Sequence, residues 1–204
     1  MSRLSNLFAV QPPGIRLQGD RVYLRPPDRG DWTSWCELRT LSRDFLTPWE
    51  PTWAPDALTR ASFRRRLARY AADWRDDEGY SFLVFRNEDN RLVGGIGMSN
   101  LRRGVAETAS VGYWTGQPFA RRGFMTEAAR LTAGFAFGRL RLHRLEAACL
   151  PSNEPSRGLL EKVGFRQEGY AKRYLCINGD WQDHLLFGLL REEWETGGAA
   201  HSHA

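Results

Sequence analysis

The 204-residue chain carries 29 Lys and Arg against 24 Asp and Glu, is 42% hydrophobic, and contains three cysteines. That length supports one well-buried core rather than two, and the scattered thiols Cys36, Cys149 and Cys176 show neither metal-ligand nor redox spacing, which fits a reducing cytoplasm better than a disulfide-stapled secreted domain. No apolar run approaches the ~18 residues of a membrane span, and residues 1–11 lack the apolar stretch of a signal peptide, so a soluble cytoplasmic protein without metal is the expectation. The formal charge of +5 raises the question of nucleic acid. Lys162 and Lys172 are the two lysines and the other basic residues are arginine, which grips phosphate with two parallel hydrogen bonds.

In chain order, residues 1–14 end in Pro-Pro-Gly and read as a flexible N-terminal arm. Arg21–Pro26 (RVYLRP) reads as a strand, and a helix follows over Asp31–Leu41. The Pro-broken FLTPWEPTW, Phe45–Trp53, reads as a loop. In LTRASFRRRLARYAADW, Thr59 is a natural N-cap, and Phe63, Leu67, Tyr70 and Trp74 recur at helical spacing. Arg60, Arg64, Arg65 and Arg69 lie elsewhere around that helix. They form either an RNA-facing stripe or, the reading favoured here, the solvated face opposite a buried one.

Tyr80–Arg86 and Arg91–Leu101 flank the turn NEDN as a hairpin, and Glu107–Trp114 is a third strand. The next helix carries Phe124, Ala128, Leu131 and Phe135 on one face. His143–Leu150 is a short apolar strand, and a helix over Glu154–Val163 ends at Gly164, a good C-terminal glycine. The segment YLCINGDWQDHLLFGLL is a hairpin on an Asn-Gly turn. One domain over residues 15–192 accounts for these elements, with 193–204 as a disordered tail. Hairpins followed by strand–helix–strand–helix–strands indicate a mixed α/β sheet with helices on both faces.

The stretch FARRGFMTEA, Phe119–Ala128, places a basic glycine-containing turn where a strand feeds a helix. An acidic cap would suit the helix dipole better. A helix start offers unpaired N–H groups and positive potential, so the backbone from Arg122 to Thr126 can curl around an anion. Gly123 removes the side chain that would hinder close approach. Neither G-x-x-x-x-G-K-[ST] nor G-x-G-x-x-G is present.

The ordered set GDRVYLRP, FLTPWEPTW, GYW, RRGFMTEA, LHRLEA, SNEPSRGLLEKVGF and EGYAKRYLCINGDWQDH resembles the GNAT superfamily of N-acetyltransferases. Within it, these stretches are similar to the ribosomal-protein alanine N-acetyltransferase (RimJ/RimL-like) group, over roughly Gly19 to Leu190. The resemblance implies a mixed, mostly antiparallel sheet splayed between ETASVGYW and HRLEAACL, with acetyl-CoA as cosubstrate in the gap. Its pyrophosphate would sit on Arg121, Arg122, Gly123, Phe124, Met125 and Thr126. Tyr113 and Trp114 would also contact the cofactor, and Asn153 would position the pantetheine arm. Ala120 replaces the Gln or Arg usual three residues before the glycine, so that contact is lost or is supplied by a neighbouring arginine.

The implied chemistry needs an attacking neutral amine, donors for the developing oxyanion, and a hydrogen bond for the departing thiolate. Backbone N–H groups near Gly112–Trp114 serve as the oxyanion donors. Leu160 stands where many relatives carry a leaving-group Tyr, and Ser156 substitutes for it. Glu107 is the carboxylate candidate for the base, with ordinary strand-end charge as the equal alternative. His143 is a second candidate, as histidine is the residue type suited to proton transfer near neutral pH, but a side chain capping the preceding turn suits its position better. Asp183 and His184 could line the acceptor groove, and a simple amine can also lose its proton to water.

Three acceptor readings follow. The first is an N-terminal α-amine, as of a ribosomal protein, the second a polyamine or aminoglycoside. The third is a silent acyl-CoA site on a module that contacts rRNA through the basic helix. Monomer and homodimer both stay open.

Overall fold

In the computed structural model, residues 14–198 are described. Near-continuous burial along YSFLVFR and the first half of LVGGIGMSNLR marks the antiparallel pair β3 (Tyr80–Arg86) and β4 (Leu92–Arg102), covered on both faces near the centre of an eight-stranded sheet. On one side lie β1 (Leu17–Gln18) and β2 (Val22–Arg25). On the other come β5 (Thr108–Thr115), β6 (Arg144–Cys149), β7 (Arg166–Ile177) and β8 (Asp180–Leu190). The order is β1-β2-β3-β4-β5-β6-β8-β7, and every neighbouring pair is antiparallel except β5–β6. β1 is two residues long and carries no periodic signal. The β7–β8 turn is made by Asn178 and Gly179, both at positive φ (47° and 93°), as a two-residue hairpin requires.

The helices are α1 (Trp32–Leu41), α2 (Arg43–Leu46), α3 (Arg60–Arg75), α4 (Phe124–Gly134), α5 (Glu154–Val163) and α6 (Arg191–Gly198). α3 begins where its cap implied, with the Thr59 side chain accepting from Ser62 N–H at 3.1 Å, a bond that stabilises a helix by about 1 kcal/mol. Its apolar face meets α1 through Phe63, whose ring lies 5.0 Å from Trp35 and 5.8 Å from Trp32. Most arginines of α3 are engaged locally. Arg65 pairs with Asp56, while Arg60, Arg66 and Arg69 lie over Trp32, Trp35 and Tyr70.

Three local expectations are corrected. Phe45–Trp53 is not all loop: α2 reaches into it, and a 3-10 turn follows over Thr47–Trp49 with Pro48 in its first positions, where a missing N–H costs little. The helix over Phe124–Phe135 ends as α4 at Gly134, and Phe135–Arg139 widens into a π-turn. Residues 193–198 of the expected tail belong to α6, because Trp194 packs against Phe137 at 6.3 Å between ring centroids. Residues 199–204 of that tail, and 1–13 of the arm, lie outside the described residues.

The sheet splits in its middle. β5 and β6 are in register only at Thr108↔Arg144, Ala109↔Leu145 and Ser110↔Glu146. Beyond these, β5 stays with β4 as far as Gly94↔Thr115 and β6 stays with β8 as far as Cys149↔Leu185, so the two halves diverge. Side chains alternate along a strand and paired residues share a face. Ala109, Val111 and Tyr113 therefore face the same side as Leu145, Cys149 and Leu185. Trp114 and His184 face the opposite side.

A cluster on the Trp114 face holds the segment after α1 in place. Arg39 donates to both carboxylate oxygens of Glu50 at 2.7 and 2.6 Å, and its guanidinium lies 4.2 Å from the Trp53 ring and 4.8 Å from Trp114. Trp53 Nε1 also donates to Glu50 at 2.8 Å, and Asn178 N–H reaches the Glu50 carbonyl at 2.9 Å. Removing the cation strands a largely buried carboxylate. Arg39→Ala is expected to lower the unfolding free energy by about 3 kcal/mol, measured by urea titration.

Candidate active site

The turn before α4 presents a row of free donors. Among the described residues, no backbone N–H from Arg121 to Thr126 makes a hydrogen bond, and the first helical bond is Glu127 N–H to the Gly123 carbonyl at 3.2 Å. Arg121 (φ 58°) and Gly123 (φ 82°) adopt the left-handed region, and Gly123 stands at the N-cap without a side-chain cap. Residues alternating between left- and right-handed conformations turn successive N–H groups inward as an anion nest, and the α4 dipole adds positive potential. The arrangement fits a pyrophosphate without any acidic cap. Arg121 lines the cleft beside it; the Arg122 guanidinium instead lies 5.3 Å from the Phe124 ring.

Sequence reading missed Arg21. Its guanidinium lies 4.5 Å from the Phe124 ring, and Nη1 is 3.5 Å from where a Cβ on Gly123 would stand. Glu127 fixes this approach by accepting from Arg21 N–H at 2.9 Å. Arg21 forms no ion pair among the described residues and supplies a cation beside the turn where Ala120 offers none. No local signal could have shown it, because 100 residues of chain separate Arg21 from Arg121.

The nest opens into a cleft of about 1030 Å³ that runs through the split, lined on one side by Val111–Thr115 and on the other by Ala148, Cys149, Leu150 and α5. Gly116 N–H donates to the Val93 carbonyl at 2.8 Å, so by alternation Trp114 and Gly112 also turn their N–H groups to β4. Tyr113 turns its N–H to the gap, beyond the last β5–β6 register pair. Of the stretch Gly112–Trp114, it is Tyr113 that has the free donor for an oxyanion.

The Tyr113 side chain crosses to α5. Its hydroxyl lies 2.8 Å from Ser156 Oγ, either oxygen able to donate. Burial pushes the Tyr113 phenol well above its ordinary value, and Ser156 partly opposes the rise. The phenol stays protonated throughout the neutral range. Cys149 adjoins Ser156, and burial likewise raises its thiol. Asn153 caps α5, its Oδ1 accepting from Ser156 N–H at 3.1 Å, and this bond sets where Ser156 stands. Leu160, at the position of the missing Tyr, is buried core.

Two expected site residues fall elsewhere. Glu107 immediately precedes β5 and lies six residues from Tyr113, roughly 20 Å along an extended strand. Its carboxylate accepts from Gly104 N–H at 2.9 Å and Arg103 at 3.2 Å, so it closes the β4–β5 turn rather than serving the cleft. Asp183 faces away from His184; Tyr170 donates to it at 2.5 Å and Arg173 N–H at 2.8 Å, holding its carboxyl below the usual range. The exposed His143 ring lies outside the cleft, 3.9 Å from Glu192, and it is the backbone N–H of His143, not its side chain, that reaches the Glu107 carbonyl at 2.7 Å. His184, in contrast, lines the cleft and is 2% exposed.

Comparison with known proteins agrees with this geometry. Residues 21–166 match the family model described as "Acetyltransferase (GNAT) domain". The [Ribosomal protein uS5]-alanine N-acetyltransferase of Escherichia coli (strain K12) is 32% identical over 91% of this chain and 95% of its own length. The probable N-acetyltransferase YjcK of Bacillus subtilis (strain 168) is 36% identical over 88% of this chain and 99% of its own. The structure of Mycobacterium smegmatis RimJ in complex with CoA-disulfide superposes with a TM-score of 0.79 at 31% identity, over 87% of this chain and 89% of that one. A split sheet with a free-donor turn at one end of its gap, found on a chain with these relatives, makes this protein an acyltransferase of the GNAT family.

Proposed function

We propose that the protein transfers the acetyl group of acetyl-CoA to the N-terminal α-amine of a protein, a ribosomal protein being the class its relatives point to. The nest of Arg121–Thr126 and the α4 dipole hold the pyrophosphate, with Arg21 as an added cation. Tyr113 N–H meets the oxyanion, and the Ser156–Tyr113 hydroxyl pair hydrogen-bonds the departing sulfur. Both substrates occupy the cleft together and the amine attacks directly.

The acceptor mouth carries the substrate reading. On the Trp114 side the cleft is walled by Phe45, Trp49, Pro51, Leu175 and Ile177, and its carboxylate, Glu50, is already neutralised by Arg39. Such a mouth suits one amine flanked by a small apolar side chain. A polyamine or aminoglycoside would need several unpaired carboxylates. An α-amine titrates near pH 8, so a weak base suffices to free it. Mass spectrometry of ribosomal proteins from cells with and without the gene tests this: one N-terminus is expected to lose its acetyl group in the deletion. Unchanged N-termini, together with turnover of polyamines by the purified enzyme, would replace the acceptor assignment.

Arg21→Ala tests the phosphate turn. The loss of one charge-assisted hydrogen bond is expected to weaken acetyl-CoA binding about tenfold, read by calorimetry, with kcat at saturation unchanged.

A further inference from the structure

We propose that His184 is the general base that takes the proton from the attacking amine; this rests on the acyl-transfer reading above. The gap in the sheet has two sides with separate tasks. Tyr113, Cys149 and Ser156 gather on the α5 side, where the sulfur must leave. Leu185 pairs with Cys149 and shares that side, so His184, its neighbour in β8, emerges on the other, with Trp114 and the apolar acceptor mouth. An amine that enters from there meets the carbonyl on the side away from the sulfur's hydroxyl pair.

The ring is held for this task. Nδ1 lies 3.0 Å from the Gln182 carbonyl, a contact that requires the proton on Nδ1. Nε2 is then the lone-pair nitrogen; it makes no hydrogen bond among the described residues, nor is it among the buried polar atoms sealed without a partner. Tyr174 packs edge-on against the ring at 5.8 Å between centroids and limits its rotation. The titratable and charged groups around the mouth are Tyr174 and Cys176 from β7 and the Arg39–Glu50 pair opposite. Among the described residues, no carboxylate hydrogen-bonds the imidazole.

The step balances as follows. The nitrogen lone pair forms the C–N bond, and the C–S bond breaks with its electron pair left on sulfur. Nε2 accepts the proton shed by nitrogen and returns it to water. The sulfur, hydrogen-bonded by Ser156, gains a proton from water.

The test compares wild type with H184Q and H184A on whichever amine of a panel, N-terminal peptides, polyamines and aminoglycosides, the wild type acetylates fastest. For both variants kcat is expected to fall by about 100-fold or more, with acetyl-CoA affinity unchanged within twofold. The wild-type profile of kcat/KM should show one ionisation besides the amine's, absent from H184Q. Added imidazole should restore part of the H184A rate. A H184Q rate within threefold of wild type, or a wild-type profile with the amine's ionisation alone, overturns the assignment. Should either variant fail to fold, the wild-type profile decides by itself. Failure of the acceptor reading is separate: there the wild type turns over no peptide, while the histidine is still judged on the amine it does use.

Discussion

Gly123→Leu is expected to abolish measurable acetyl-CoA binding by titration calorimetry while leaving a folded protein. The six free N–H groups of Arg121–Thr126 converge only because Arg121 and Gly123 both hold positive φ. A leucine at φ 82° is strained by about 1–2 kcal/mol, which corresponds to a thermal midpoint lower by roughly 5 °C in a chain of this size. Sterically the site tolerates the change, since an added Cβ meets only Arg21 Nη1, at 3.5 Å. The damage falls on the ligand: the side chain stands over the donors, and relief of strain turns them away. Binding that survives the substitution would place the phosphates elsewhere and remove the main support for the proposed cleft.

Ser156→Ala is expected to lower kcat by about 100-fold, the scale set by single transition-state donors, with acetyl-CoA affinity changed little. Tyr113→Phe should have a smaller effect, since it removes only the group that orients the Ser156 hydroxyl. The double variant should lose no more than Ser156→Ala alone, because the two hydroxyls 2.8 Å apart act as one unit. Since burial raises the Tyr113 phenol, its loss should remove no ionisation from the rate profile at neutral pH. Losses that multiply in the double variant would mean that the two hydroxyls act separately, and an unaffected Ser156→Ala would leave the thiolate to water.

Much of the fold was legible because the signals for it are local. Thr59 caps a helix by bonding to the residue three positions on, Gly164 ends α5 in a left-handed conformation, and Asn178-Gly179 closes β7 on β8. The free-donor turn was legible for the same reason, as a helix start that lacks an acidic cap. Misreadings came where distant packing outweighed composition. Trp194 draws a small polar tail into α6 against Phe137, and the Arg39–Glu50–Trp53 cluster orders the Pro-rich segment after α1.

By itself the sequence determined most of the elements, several of their caps and turns, the uncapped helix start at Gly123 and the family resemblance, since each depends on neighbours a few residues apart. The tertiary structure alone decided which charged groups reach the chemistry. Glu107 looked available in sequence, yet it sits at the far end of β5 and closes a turn. Arg21 read as the first residue of a strand, yet its bond to Glu127 of α4 brings it to Gly123. Asp183 and His184 were one candidate pair, and the period-two alternation of β8 parts them, one held by Tyr170 outside the cleft and one lining it. Face and depth follow from register across strands far apart in the chain, and no local pattern records that register.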